Sequence, residues 1–137
     1  ISEGRVEMRG FTKEYLNEYA DMDIALDTFP YTGGLTTCEA LYMGVPVVTL
    51  CGKSHGGRFG ASLLTNANLE DLVAKTPDEY VRTAAALAGS LETLTALREN
   101  LRTILQSAPL MDVRGYVQAV EAAYRAMWAH FQESAGA

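Results

Sequence analysis

Two glycines, two hydroxyls and a carboxylate follow one another closely in Gly33-Gly34-Leu35-Thr36-Thr37-Cys38-Glu39, and this stretch has more capacity for chemistry than any other in the sequence. Glycine has no Cβ, so the backbone at 33 and 34 can come close to a ligand. Thr36 or Thr37 can start a helix. The first turn of a helix presents N–H groups without intrahelical partners and the positive end of the dipole, a setting that suits phosphate. The two threonines add hydroxyl donors. Glu39, one turn on, is an acceptor-only carboxylate able to hold the two hydroxyls of a ribose. The spacing is neither G-x-G-x-x-G nor a Walker loop, which disfavours a dinucleotide or ATP. The same residues also make an ordinary capped turn, so on pattern alone a phosphate site and a structural turn both stand.

Asp23 and Asp27 bracket the apolar run Ile24-Ala25-Leu26 at a spacing of four. They are readable as a carboxylate pair for glycoside hydrolysis or as caps of turns at strand ends, with Asp27 at the C-terminal end. A second loop, Gly52 to Gly60, carries Lys53, His55 and Arg58. His55 and His130 lie far apart, and no CxxC or HxxxH spacing occurs, so no metal is expected. The two cysteines, Cys38 and Cys51, are expected to be reduced, partly buried thiols of a cytoplasmic protein rather than a disulfide.

The elements that must position these residues follow from periodicity and turn chemistry. Val6–Arg9 reads as a short strand, and Thr12 as the cap of a helix to about Ala20 with Leu16 and Tyr19 inward. Asp23–Asp27 reads as a parallel strand buried on both faces. The loop 28–35 contains Pro30 and both glycines. A helix then runs to Met43, and Gly44 fits the left-handed position that ends it. Val45–Leu50 is the next strand, with Pro46 near its start. Residues 23–50 are thus a β-loop-α-turn-β unit joining parallel strands. In such a sheet ligands bind beyond the C-terminal strand ends, where loops 28–36 and 51–59 lie. A helix is expected around Ala61–Thr65, and 69–74 is ambiguous. From there the chain turns helical. Thr76-Pro77-Asp78-Glu79 is a capping box with Pro in the first helical position. Ser90 starts a helix with Leu91, Leu94, Leu97, Leu101 and Ile104 on one face, which Pro109 breaks. Asp112 starts the last helix, whose Tyr116, Val120, Tyr124, Met127 or Trp128, and Phe131 are expected to pack inward. Only three strands are expected, all in the first fifty residues, so the fold class is α/β with a truncated parallel sheet followed by C-terminal helices.

The 137 residues suit one domain, with an α/β part over 1–75 and a helical part over 76–137. A hydrophobic content of 48% supports a real core, and a net charge of -6 without a basic cluster argues against a nucleic-acid surface. No apolar run approaches the ~20 residues of a membrane span, and no signal peptide is visible. The sequence opens on Ile1 rather than Met, which leads us to expect a piece of a larger protein.

The stretch DIALDTFPYTGGLTTCEALYMGVPVVTL, continuing into GRFGASLLTNANLEDLVA, resembles the C-terminal catalytic region of the O-linked N-acetylglucosamine transferase family. The resemblance extends from GRVEMRGF to YVQAVEAAYRAMWAHF. It implies the Rossmann-like C-terminal lobe of a GT-B glycosyltransferase of the bacterial, tetratricopeptide-repeat-associated type. Such a lobe binds the UDP part of UDP-N-acetylglucosamine, and a UDP-sugar donor rather than a cofactor is the expected small molecule. The chemistry implied is inverting, metal-independent transfer to Ser/Thr hydroxyls of a protein acceptor, assisted by a missing N-terminal catalytic lobe and tetratricopeptide repeats. By the same resemblance Thr36 and Thr37 contact the diphosphate and Glu39 the ribose. Lys13, in FTKEYL, reaches the diphosphate and stabilises the leaving group. Phe11 supplies a backbone contact to the uracil, and Arg58 matches an arginine of the family. Leu35 stands where animal members carry a histidine, and Tyr15 or Leu16 where many members place a histidine on the uridine. Two other readings stay open: a protein N-glucosyltransferase of the adhesin-glycosylating type, and a non-catalytic nucleotide-binding or interaction module. A purely structural α/β domain is the third.

Overall fold

Three short parallel strands, β1 (Ala25–Leu26), β2 (Val47–Leu50) and β3 (Val73–Ala74), lie in the spatial order β1-β2-β3. The structure, a computed structural model, describes residues 2–135, so both end points of the expected domain lie outside the described residues. Ala25 pairs with Val47 and Leu26 with Val48; on the other edge of β2, Thr49 pairs with Val73 and Leu50 with Ala74. A central parallel strand is covered on both faces, and the β-branched run of β2 fits that place: Val47, Val48 and Thr49 are all buried. Pro46 precedes β2, and its carbonyl accepts from Ala25 N at 2.9 Å, a bond that needs no donor on proline.

The unit expected over 23–50 is present, with helix α1 (Leu35–Tyr42) joining β1 to β2, but β1 is a two-residue edge strand with Leu26 exposed, not the strand buried on both faces expected over Asp23–Asp27. Gly44 follows it at φ +83°, the left-handed conformation that glycine adopts without steric cost. Helix α2 (Phe59–Asn66) then leads to β3, and helices α3 (Pro77–Ala88), α4 (Leu91–Ser107) and α5 (Val113–Ala135) complete the chain. Thr76 Oγ1 accepts from Glu79 N at 3.2 Å with Pro77 in the first helical position, and Glu79 Oε2 accepts from Lys75 N at 2.7 Å. Ser90 Oγ accepts from Thr93 N, and Asp112 Oδ1 accepts from Gly115 N at 2.9 Å, so both expected caps are in place. The largest fully buried apolar side chains are Leu41 of α1, Leu64 of α2, Leu101 of α4, and Val45, Val47 and Val48 around β2. One core thus binds the sheet to the helices on it.

Further expectations are corrected. Val6–Arg9 forms no strand; Val6 and Met8 are exposed, and no neighbouring strand among the described residues pairs with them. The third strand is Val73–Ala74 instead, a two-residue element too short to carry a period, created by pairing with β2. The segment after Thr12 is a 3-10 helix, Tyr15–Asp21, not an α-helix. The terminal carbonyls at the end of this helix are taken by the guanidinium of Arg98 from α4, which donates to Tyr19 O at 3.0 Å, Ala20 O at 2.7 Å and Met22 O at 3.2 Å. Along α4, Leu101 is buried as expected, but Leu91 is exposed and the buried face continues to Leu105. The largest departure is α5. Tyr116, Tyr124, Met127, Trp128 and Phe131 stand in solvent, Val120 is half-buried, and no residue of the helix is buried.

A Cβ added at Gly44 would lie 2.9 Å from the carbonyl oxygen of Arg98 as well as at a positive φ. Gly44→Ala is therefore expected to lower the unfolding free energy by at least about 1–2 kcal/mol, read by urea denaturation. Gly10→Ala, where a Cβ meets open space, should stay within about 0.5 kcal/mol of the parent. Equal midpoints for the two variants would contradict the strained turn.

Candidate functional site

The loop between β1 and α1 is held from below by one carboxylate. Asp27, at the C-terminal end of β1, is 8% exposed. Its Oδ1 accepts from Gly33 N at 2.7 Å and its Oδ2 from Thr49 Oγ1 at 2.7 Å. Its carbonyl accepts from Tyr80 Oη at 2.9 Å. The carboxylate is therefore a strand-end cap that fixes the start of the glycine turn. It is not one of a catalytic pair with Asp23, because both of its oxygens are engaged by structural donors.

The two loops at this edge of the sheet are tied together. Thr32 donates through its N–H, at 3.1 Å, and its hydroxyl, at 3.0 Å, to Gly56 O, and Gly60 N donates to Thr32 Oγ1 at 3.1 Å. Gly60 packs so closely on Asp27 Oδ2 and Thr49 Oγ1 that no side chain fits there. Gly33 is equally constrained: a Cβ would fall 2.6 Å from Thr37 Oγ1 and 2.9 Å from Thr36 Oγ1. Gly34 is the residue before α1, and the helix start carries no side-chain cap. The first N–H to find a backbone partner is that of Cys38, on Gly34 O at 3.2 Å.

A cavity of about 250 Å³ opens at this point, lined by Asp27, Thr28, Gly33, Thr36 and Thr37 together with Tyr19, Met22 and the apolar Ala25, Leu26, Ala40 and Val47. A second, of about 350 Å³, shares Tyr19 and Met22 and adds Gly10, Phe11, Thr12 and Tyr15. The expected residues thus fall into groups. Gly33, Thr36 and Thr37 line the first cavity, and Phe11 and Tyr15 the second. Glu39 is half-buried one turn along α1 and accepts the hydroxyl of Tyr15 on Oε1 at 2.7 Å. That bond first, and then desolvation, holds the Tyr15 phenol above its usual pKa. Lys13 is exposed between the residues of the second cavity but lines neither. Leu35 projects into solvent. Arg58 is exposed and donates to the carbonyl of Lys53, tightening its own loop. His55 is exposed too, with its ring edge-on to Phe59 at 4.9 Å.

Sequence reasoning missed Thr32 and Thr49, both fully buried and both part of the bracing under the turn. A threonine inside the apolar run Val47-Val48-Thr49-Leu50 was the available signal, because a buried hydroxyl needs a partner. Tyr19 and Met22 could not be read as cavity walls, since their placement depends on Arg98, far along the chain. Both cysteines are free, and Cys38 is held above its ordinary pKa by burial and then by Glu39. Among the described residues no group of three or more His, Cys, Asp or Glu side chains is arranged to hold a metal ion. No helix among the described residues is long and apolar enough to cross a membrane.

Comparison with known proteins matches residues 11–120 to Glycosyl transferase family 41. The chain is 49% identical, over 84% of its length, to a Hordeum vulgare protein named as a probable UDP-N-acetylglucosamine–peptide N-acetylglucosaminyltransferase SPINDLY, and spans 12% of that protein. The Arabidopsis thaliana protein of the same name is 46% identical over 86% of this chain, which spans 13% of it. A Caenorhabditis elegans UDP-N-acetylglucosamine–peptide N-acetylglucosaminyltransferase is 32% identical over 80% of this chain and 10% of its own length. Among solved structures, a lysine-to-methionine mutant of the Thermobaculum terrenum O-GlcNAc transferase superposes with a TM-score of 0.77 at 46% identity, covering 87% of this chain and 23% of the other. The small parallel sheet and its helices are accordingly a truncated Rossmann-like α/β lobe, and the chain belongs to glycosyl transferase family 41.

Proposed function

We propose that this chain is the nucleotide-sugar-binding lobe of a glycosyltransferase that moves N-acetylglucosamine from UDP-N-acetylglucosamine to Ser/Thr hydroxyls of proteins, with inversion and without a bound metal. The observation that carries the reading is the uncapped start of α1, braced by Asp27 and open to a cavity lined by Gly33, Thr36 and Thr37. The names of the relatives support the donor and the protein acceptor.

In this reading the diphosphate sits at the start of α1, where N–H groups and the two hydroxyls converge. Glu39 takes the ribose. Phe11 and Tyr15 line the cavity next to it, on the side where the base would lie. As the sugar departs, negative charge grows on the diphosphate and has to be met by donors already in place. Gly33 and Gly34 allow the approach, Thr36 and Thr37 donate, and Lys13 brings an ammonium from its exposed position in the neighbouring segment. Lys13 makes no ion pair among the described residues, so its charge is not committed elsewhere. Leu35 and Arg58 are assigned to the donor by family likeness alone; Leu35 is exposed and offers no hydrogen bond, and Arg58 is bonded to Lys53 O in the second loop. The acceptor hydroxyl, the base that deprotonates it and the surface that selects it are assigned to parts of the protein upstream, a second catalytic lobe and tetratricopeptide repeats. This lobe alone is expected to bind the nucleotide without turnover. The two free thiols suit a reducing compartment, and we place the protein in the cytoplasm.

In the intact enzyme, Lys13→Ala is expected to lower kcat by ~10²–10³ while changing UDP affinity far less; comparable losses in both would remove Lys13 from leaving-group stabilisation. Thr37→Val is expected to weaken UDP binding by ~10-fold or more, the loss of one hydrogen bond to a charged group. Calorimetric titration measures it, and unchanged affinity would take Thr37 out of the site.

A further inference from the structure

Among the described residues, four hydrogen bonds tie the chain up to Met22 to everything after it, and Arg98 of α4 donates three of them. Its Nη2 reaches Tyr19 O at 3.0 Å and Ala20 O at 2.7 Å, and its Nη1 reaches Met22 O at 3.2 Å. The fourth bond runs from the Tyr15 hydroxyl to Glu39. No backbone hydrogen bond crosses between the two parts among the described residues. The ion pairs of Arg9 stay within the early segment, on Glu7, Glu18 and Asp21. Packing adds Tyr19, partly buried against the core. The segment that carries Lys13 is thus a strap held at its far end by one guanidinium.

Arg102, one turn further along α4, does the same for the opposite wall. It donates through Nε to Tyr42 O, at the end of α1, at 3.1 Å, and its guanidinium lies 4.4 Å over the Tyr42 ring. The turn after α1 rests on α4 as well, since a Cβ at Gly44 would meet Arg98 O at 2.9 Å. The first cavity is bounded by Tyr19 and Met22 from the strap and by Thr36, Thr37 and Ala40 from α1. Side chains at i and i+4 share one face of a helix, so α4 fixes both walls from a single rigid element. Neither arginine makes an ion pair among the described residues. Both charges go instead to carbonyls at helix ends, where cations are favoured. A guanidinium presents five N–H donors in a planar fork, which an ammonium cannot copy on three separate carbonyls.

We propose that Arg98 is a positioning residue for the transfer reaction: it sets the strap, and with it Lys13 and the wall made by Tyr19 and Met22, at a fixed distance from the start of α1. This role rests on the function proposed above, in which Lys13 meets the leaving diphosphate. Arg98 lines neither cavity of the nucleotide site. It acts through the place in which it holds Lys13, and a misplaced catalytic group loses much of its effect because the charge it must meet develops at one spot.

The test is a double-mutant cycle in the intact enzyme. It measures kcat, UDP affinity and the thermal midpoint of Arg98→Ala, Lys13→Ala and the double variant, with Arg82→Gln, exposed on α3, as a control for lost charge. Arg98→Ala is expected to lower kcat by ~10-fold or more, while UDP affinity changes far less. In the Lys13→Ala background the same change should cost less than about threefold, because the group it positions is gone. Arg82→Gln should keep the parent kcat. If Arg98→Ala does not fold, Arg98→Lys carries the test: it keeps the charge and the stem, and should lower kcat at least about threefold, again with a smaller loss in the Lys13→Ala background. Equal losses of kcat in both backgrounds, or a lowered midpoint with kcat unchanged, overturn the positioning role and leave nucleotide binding intact. A Lys13→Ala enzyme at the parent kcat overturns the role of Lys13 and with it that of Arg98. An intact protein that binds no UDP overturns the proposed function itself.

Discussion

Asp27 bears two hydrogen bonds that the rest of the site depends on. One oxygen holds the N–H of Gly33 and the other the hydroxyl of Thr49, so a single buried carboxylate pins the start of the glycine turn to the central strand. A charged acceptor makes stronger bonds than a neutral one, and leaving it half-satisfied would cost more than either bond contributes. That asymmetry explains the crowding around it. Gly60 and Gly33 both come so close that a side chain at either position would collide with the network. Thr32 then carries the constraint to the second loop through Gly56 and Gly60. The turn is rigid because every polar group beneath it is already spoken for, which leaves the N–H groups and hydroxyls above it available to something else.

The electrostatics follow from the same arrangement. The chain carries a net charge of -6, and Asp27 itself lines the cavity. Attraction for an anion at α1 cannot come from overall charge. On the function proposed above it comes from the amide N–H groups of the first helical turn and the threonine hydroxyls, with the Lys13 ammonium beside them. Such dipoles lose little on binding, because the backbone has already oriented them.

How much of this could be read from the residue order depended on the range of the interaction. Gly44, Thr76 with Pro77 and Glu79, Ser90 and Asp112 all act within about four residues, and each is found in its expected role. The β-loop-α-turn-β unit was legible for the same reason, since its strands and helix are separated only by turn chemistry. Where partners lie far apart, local patterns misled. Val6–Arg9 has strand-like residues but meets no strand among those described, whereas Val73–Ala74 has almost no pattern and becomes a strand because β2 is there to pair with it. The Tyr15–Glu39 bond and the Arg98 clamp on Tyr19, Ala20 and Met22 span 24 to 79 positions, and no spacing rule reaches that distance. The roles first attached to Lys13, Phe11 and Arg58 came from likeness to a family. Of these, the geometry seats only Phe11 against a cavity.

Helix α5 shows the opposite case, a helix correctly read whose apolar face, expected to pack inward, is exposed among the described residues. Its 23 residues, at 1.5 Å each, make a rod of about 35 Å with an aromatic strip along it and Trp128 stacked on Phe131 at 5.7 Å. The chain contains one tryptophan, and it lies on that strip. Its fluorescence therefore reports on a single thing: emission characteristic of a wet indole while the strip faces water, shifting to shorter wavelength once protein covers it. A single optical reporter of that strip's surroundings is thus built into α5, far in sequence from the glycine turn.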